Sequence, residues 1–238
     1  MPETGFLDRV LNVAGRRYRY QVYLPSFYTT DRSWPIILFL HGAGECGEDG
    51  LLPTEVGIGS AIRRNARVFP CLVVFPQAPQ VEGCSWRGEM AVMALRALDR
   101  TVAEFRGDPR RLYLTGLSMG GSGTLRIAAE YPGRFAALVP VCPDFSDELD
   151  GPHRAEQGGG DLFDALARAI GPTPVWLFQG ALDEHPPAVV ARRLVGTLSR
   201  YSPEVRYTEY RDVGHNAWDP AYDEPDLIPW LLSHSRNG

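Results

Sequence analysis

Residues 111–121 read Arg-Leu-Tyr-Leu-Thr-Gly-Leu-Ser-Met-Gly-Gly, an apolar strand-like run that meets Gly116-Leu117-Ser118-Met119-Gly120. A strand that turns sharply into a helix forces the residue at the bend into a strained backbone, and a Cβ on either side would collide with the turn. Glycines 116 and 120 remove both collisions. Ser118 is therefore expected at the exposed tip. Its hydroxyl would sit at the amino end of a helix opened by Met119, where unpaired backbone N–H groups favour developing negative charge. That is a setting for nucleophilic attack.

Working outward, short apolar or β-branched runs recur at 18–24, 35–40, 71–75, 112–115, 136–141, 174–178 and 205–210. From the second onward they alternate with helical patterns. The strongest pattern is 90–105, where Ala91, Leu95, Leu98, Val102 and Phe105 form one apolar stripe. Further helices are expected at 118–130, 161–170, 187–199 and 225–234. Such alternation predicts an α/β fold, a mostly parallel central sheet with helices on both faces. The first run reaches the second without a helix between them and should be an antiparallel partner at the N-terminal edge. Residues 144–160 break the rhythm: they are acidic, glycine-rich and poor in apolar side chains, as in a long surface excursion. With no internal repeat and no compositional shift, residues 1–238 read as a single domain.

The formal charge is −5 and the basic residues form no runs, Arg63-Arg64, Arg110-Arg111 and Arg192-Arg193 being isolated pairs, which points away from nucleic acid and from anionic membrane surfaces. The start, Met1-Pro2-Glu3-Thr4-Gly5-Phe6, lacks the basic and apolar regions of a secretory signal, and no segment is long enough to span a bilayer. A cytoplasmic location is expected. The four cysteines have no metal-type spacing, so neither a metal nor a cofactor is expected. Cys71 and Cys142 lie in apolar runs and read as core. Cys46 and Cys84 fall in loops that approach one site, and a disulfide between them is not expected in a reducing compartment.

A serine hydroxyl near neutral pH needs a base, and the base needs an acid to fix its tautomer and stabilise its cation. Of the five histidines, His215 follows the run at 205–210 in Asp212-Val213-Gly214-His215-Asn216-Ala217-Trp218, and Gly214 frees that loop to aim the ring inward. The run at 174–178 leads into Gln179-Gly180-Ala181-Leu182-Asp183-Glu184-His185, which holds Asp183 on a short turn. Glu184 is its local rival, Asp212 lies too close in sequence to His215 to reach the far nitrogen, and a helix N-cap is the alternative role for Asp183. The order Ser118, Asp183, His215 on successive strand ends is the one that brings a triad to one rim of an α/β sheet. Acyl transfer also needs donors for the oxyanion. The turn His41-Gly42-Ala43-Gly44 offers Ala43 N–H, with Gly42 as its substitute, to pair with Met119 N–H. His41 is expected to brace that loop. Trp86 and Trp218 are loop aromatics suited to line a small-molecule pocket.

These residues resemble the α/β-hydrolase superfamily and, within it, the carboxylesterase, feruloyl-esterase-like and "predicted peptidase" group. The resemblance covers most of the chain. It rests on Leu40-His41-Gly42-Ala43-Gly44-Glu45, on Gly116-Leu117-Ser118-Met119-Gly120-Gly121, on Gln179-Gly180-Ala181-Leu182-Asp183, and on His215-Asn216-Ala217-Trp218 through Tyr222, Pro225 and Trp230-Leu231-Leu232. It implies a serine esterase acting on small-molecule esters through an acyl-enzyme, with Ser118, Asp183 and His215 as triad and a cap or lid inserted at about 144–172. Cys46 stands where members of the group often carry a basic residue. The same residues also suit a peptidase, a thioesterase or an acyltransferase. A catalytically silent ligand-binding module would more often have lost a triad member.

Overall fold

The computed structural model describes residues 3–80, 84–145 and 161–236. Among these, eight strands form one sheet: β1 (Gly5–Val13), β2 (Arg16–Leu24), β3 (Trp34–Leu40), β4 (Leu72–Pro76), β5 (Gly107–Leu117), β6 (Ala137–Val141), β7 (Val175–Gly180) and β8 (Val205–Tyr210). Their order across the sheet is β1-β2-β4-β3-β5-β6-β7-β8. Strands β3 to β8 are parallel, whereas β2 pairs antiparallel with both β1 and β4. This is the mostly parallel sheet with an antiparallel N-terminal edge that the sequence predicts.

The helices described are α1 (Gly57–Arg64), α2 (Glu89–Glu104), α3 (Met119–Glu130), α4 (Leu162–Ile170), α5 (Ala188–Leu198), α6 (Trp218–Tyr222) and α7 (Leu227–Ser233). Side chains alternate along a strand, so an unbroken apolar run has to be covered on both faces. Ile36, Leu38, Leu40, Leu72 and Val74 pack with residues of α2, α3, α4 and α5. Their neighbours Ile37, Phe39, Val73 and Phe75 point the other way, into a cluster closed by α1, α6 and α7.

Three elements were not legible in the pattern. The edge strand β1 has polar Asp8, Arg9 and Asn12 among its apolar residues, because much of it stays in contact with solvent. The device that pairs it with β2 is the two-residue turn Ala14-Gly15, with φ of 49° and 81°, a geometry that suits tight hairpins. Helix α1 carries two glycines, which dilute helical propensity, and α6 is little more than one turn. The excursion expected at 144–160, and most of the cap expected at 144–172, falls on 146–160, outside the described residues. Residues 162–170 form α4, a scaffold helix: Phe163, Leu166, Ala167 and Ile170 are buried in the core.

Every parallel strand ends at the same edge of the sheet, and two of the loops there, those after β3 and β4, are knotted together by His41. The imidazole is fully buried. Its Nε2 accepts from Ala78 N–H at 3.0 Å, beyond β4, and its Nδ1–H donates to the Gly42 carbonyl at 2.6 Å. Its own carbonyl accepts from the Trp86 indole N–H at 2.9 Å, and the two rings meet edge to face, 4.9 Å between centroids. One nitrogen donates and the other accepts, so the ring is neutral. Burial pushes its pKa down from 6.5 to about 4. The unfolded chain takes up a proton that the folded chain refuses, so stability is full above pH 6.5 and falls as pH drops toward 4, by on the order of 3 kcal/mol. Urea unfolding at stepped pH should show this loss in the parent and a shallower one in His41→Gln. Equal slopes for the two proteins would count against the assignment.

Candidate active site

Ser118 sits between β5 and α3 with φ 52° and ψ −117°, a region that residues with a side chain seldom adopt. The surroundings impose it. Its N–H donates to the Val141 carbonyl at 3.0 Å, and its own carbonyl accepts from the N–H groups of Gly121 (2.8 Å), Ser122 (3.1 Å) and Asp144 (3.2 Å). A Cβ on Gly116 would strike the Gly120 carbonyl and come within 2.7 Å of the Leu40 carbonyl. One on Gly120 would strike the Leu40 carbonyl and approach the His41 carbonyl at 2.7 Å. The two glycines therefore let α3 start directly against the end of β3.

The histidine and the carboxylate arrive from β8 and β7. Their loops are laced together: Ala181 N–H donates to the Tyr210 carbonyl and Leu182 N–H to the Val213 carbonyl, each at 2.9 Å. His215 Nε2 lies 3.0 Å from Ser118 Oγ, and its Nδ1 lies 2.8 Å from Asp183 Oδ2. The Asp183 side chain is wholly buried, whereas that of His215 is 37% exposed, so one end of the relay faces the rim and the other the interior. A buried carboxylate is costly unless hydrogen-bonded. Asp183 Oδ1 accepts from His185 N–H at 2.9 Å, and Oδ2 also accepts from the Gln179 amide at 2.8 Å.

The other candidates are elsewhere. Glu184 and Asp212 are exposed, and α5 begins at Ala188 behind Pro187, so Asp183 caps no helix. His185 is exposed, and His234 pairs with Glu204 at 3.0 Å. His153 lies outside the described residues.

Ala43 opens a short 3₁₀ turn, Ala43–Glu45, and Met119 is the first residue of α3, so each N–H lies at a start where the helix itself supplies no acceptor. Gly42, the expected substitute for Ala43, is already engaged: its N–H donates to Glu45 Oε2 at 2.9 Å. Burial holds the Glu45 carboxyl above its ordinary range. Trp218 is half-buried and meets the His215 ring edge to face at 5.4 Å, within reach of anything bound at the serine. Trp86, expected on the same wall, is only 1% exposed and lies behind the His41 loop as its support. Its single polar atom found a partner in the interior, which drew the ring inward.

One partner of Asp183 was given no role in the sequence, and one core residue lies closer to the site than its reading as core implied. Gln179 is a polar residue at the end of the apolar run 174–178, and a buried amide there is the signal that could have found it. Cys142 lies beneath Asp183 and His215, with one ligand-type atom from each of the three within 4.8 Å of the others. Burial pushes the Cys142 thiol up, which disfavours the thiolate that a cation would need, and Asp183 and His215 are hydrogen-bonded to each other.

Residues 12–216 match the Esterase family model. A thermostable esterase of known structure is 30% identical over 97% of this chain, with a TM-score of 0.79; the chain spans 63% of that esterase's length. An S-formylglutathione hydrolase from Agrobacterium tumefaciens superposes with a TM-score of 0.73 at 18% identity, covering 98% of this chain and 95% of its own. One from Staphylococcus aureus gives 0.71 at 18% identity, with 97% and 98% covered. At such identity the likeness bears on the fold alone. No curated protein matches by sequence. With the family match running from β1 to the loop beyond β8, the chain belongs to the Esterase family and has the α/β-hydrolase fold.

Proposed function

We propose that the chain hydrolyses carboxylic esters of small molecules by a two-step acyl-enzyme route, with Ser118 as nucleophile, His215 as base and Asp183 as its orienting acid. The observation that carries this reading is the unbroken hydrogen-bond relay from Ser118 Oγ through both nitrogens of His215 to the buried Asp183. Ser118 Oγ attacks the ester carbonyl while His215 Nε2 takes its proton. The imidazolium is stabilised by Asp183, whose charge is spread over its bonds to Gln179 and His185 N–H. The oxyanion is taken by Ala43 N–H and Met119 N–H, and one such donor is worth about 2.7–4 kcal/mol. His215 returns the proton to the departing alcohol. Water then repeats the sequence on the acyl-enzyme.

Membership of the Esterase family and the 30% identity to a thermostable esterase favour an ester over an amide or thioester as the bond cleaved. Trp218 is the proposed contact to substrate, through its ring beside His215, and Gly42, with both its backbone polar groups engaged, serves the site by holding the turn that presents Ala43. The described residues hold no helix long and apolar enough to cross a membrane, which suits an ester delivered from water.

Replacing the nucleophile is the direct test. Ser118→Ala should lower kcat on p-nitrophenyl acetate by about 10⁴–10⁶-fold and abolish fluorophosphonate labelling, with an unchanged urea midpoint as the check on folding. Turnover at the parental rate in that variant would end the proposal. Gln179→Leu removes a donor to a buried charge, so kcat should fall about ten-fold or more with KM little changed, as read by steady-state kinetics.

A further inference from the structure

Cys46 and Cys84 come from loops 38 positions apart, yet their sulfurs stand 2.9 Å from each other. Both are free thiols. A disulfide bond is about 2.05 Å long, so joining them asks for a movement of less than about 1 Å. The segments on either side are already fixed. Cys46 N–H donates to the Ala43 carbonyl at 3.4 Å, Gly47 N–H to the Ala78 carbonyl at 2.9 Å, and the Gln77 amide to the Glu45 carbonyl at 3.0 Å. Two residues beyond Cys84, Trp86 is held by the His41 carbonyl.

The two sulfurs differ in a way that suits exchange chemistry. Cys46 is 5% exposed and Cys84 half-buried, so an external reagent meets Cys84 first. The Cys46 S–H donating to the Cys84 sulfur favours the thiolate there and lowers its pKa, while the same contact and burial raise that of Cys46. Cys71 and Cys142 are fully buried and out of reach.

We propose that Cys46 and Cys84 form a redox-active dithiol that exchanges with low-molecular-weight disulfides, and that its oxidation displaces the Ala43 turn and slows ester turnover. The second half rests on the esterase reading; the covalent chemistry does not. The Cys84 thiolate attacks one sulfur of the external disulfide, forming a mixed disulfide and releasing one thiolate. Cys46 gives up its proton to solvent, attacks the Cys84 sulfur and expels the second thiolate. The protein loses two protons and two electrons, and the external disulfide is reduced to two thiols. Cys46 ends the turn that begins at Ala43, so drawing its sulfur toward Cys84 moves that turn. A misplacement of a fraction of an ångström at an oxyanion donor is enough to cost about ten-fold in rate.

The test equilibrates the full chain with graded ratios of oxidised to reduced glutathione at mildly alkaline pH. Each sample is divided between iodoacetamide trapping with peptide mass mapping and a p-nitrophenyl acetate assay. Oxidation should remove two alkylatable thiols, yield a peptide linked through Cys46 and Cys84, and lower kcat about ten-fold, with dithiothreitol reversing all three. Cys46→Ser should stop at a glutathione adduct on Cys84, and Cys84→Ser should keep its rate at every ratio. Absence of the 46–84 link in the folded chain at any ratio overturns the proposal, and so does a link that leaves kcat unchanged. The link is read by mass without turnover, so a chain that forms it yet hydrolyses no ester in either state fails the esterase reading and not the dithiol.

Discussion

Ser118 is held at φ 52° and ψ −117°, and the geometry of the site is measured from that one strained residue. A conformation of this kind costs on the order of 1–3 kcal/mol and persists only where neighbouring structure over-determines it. Here the carbonyl of Val141 takes the serine N–H, three N–H groups converge on its carbonyl, and two glycines let the first turn of α3 press against the carbonyl end of β3. The strain is thereby set by the packing of β3, β5, β6 and α3 on one another. Its result is an Oγ lifted from the backbone and a Met119 N–H bare beside it.

Strand order does the rest. β3 lies next to β5, which brings the Ala43 turn alongside the serine, while β7 and β8 lie two and three strands away on the other side. Their loops have to reach back toward β5, and they do so as one unit through the bonds joining Ala181 to Tyr210 and Leu182 to Val213. The carboxylate stays in the dry part of that unit and the imidazole bridges outward. Burial makes the charge of Asp183 expensive, and the three donors around it are what keep it in place.

The parallel part of the sheet was legible because β3, β4, β6, β7 and the second half of β5 are buried on both faces and so had to be written in nearly continuous apolar residues bounded by turns. The same logic hid β1, whose half-solvated face dilutes the signal, and α1, whose glycines speak against a helix that tertiary packing nevertheless imposes on Ile58, Ala61 and Ile62. At the site, residues defined by chemistry and local backbone, Ser118 with its glycines above all, could be named from spacing. Asp183 and His215 were marked by the turns that carry them, whereas residues with no such local cue, whose place is set by a distant partner, could not be read. Trp86 was expected to face a ligand and turned inward to the His41 carbonyl, and Gln179 went unremarked because its role depends on a carboxylate delivered by the following turn.

By itself the sequence determined the alternation of strands and helices, the bend at Ser118 and the placing of Ser118, Asp183 and His215 in that order at strand ends, because each is written in local composition, periodicity and turn chemistry. Only the tertiary structure decided that His215 Nε2 comes within 3.0 Å of Ser118 Oγ, that the Gly42 N–H is taken by Glu45, and that two cysteines from separate loops stand sulfur to sulfur. Those are distances between groups far apart in the chain. They are fixed by which strands neighbour one another and by which buried polar atoms find partners, and no local pattern encodes either.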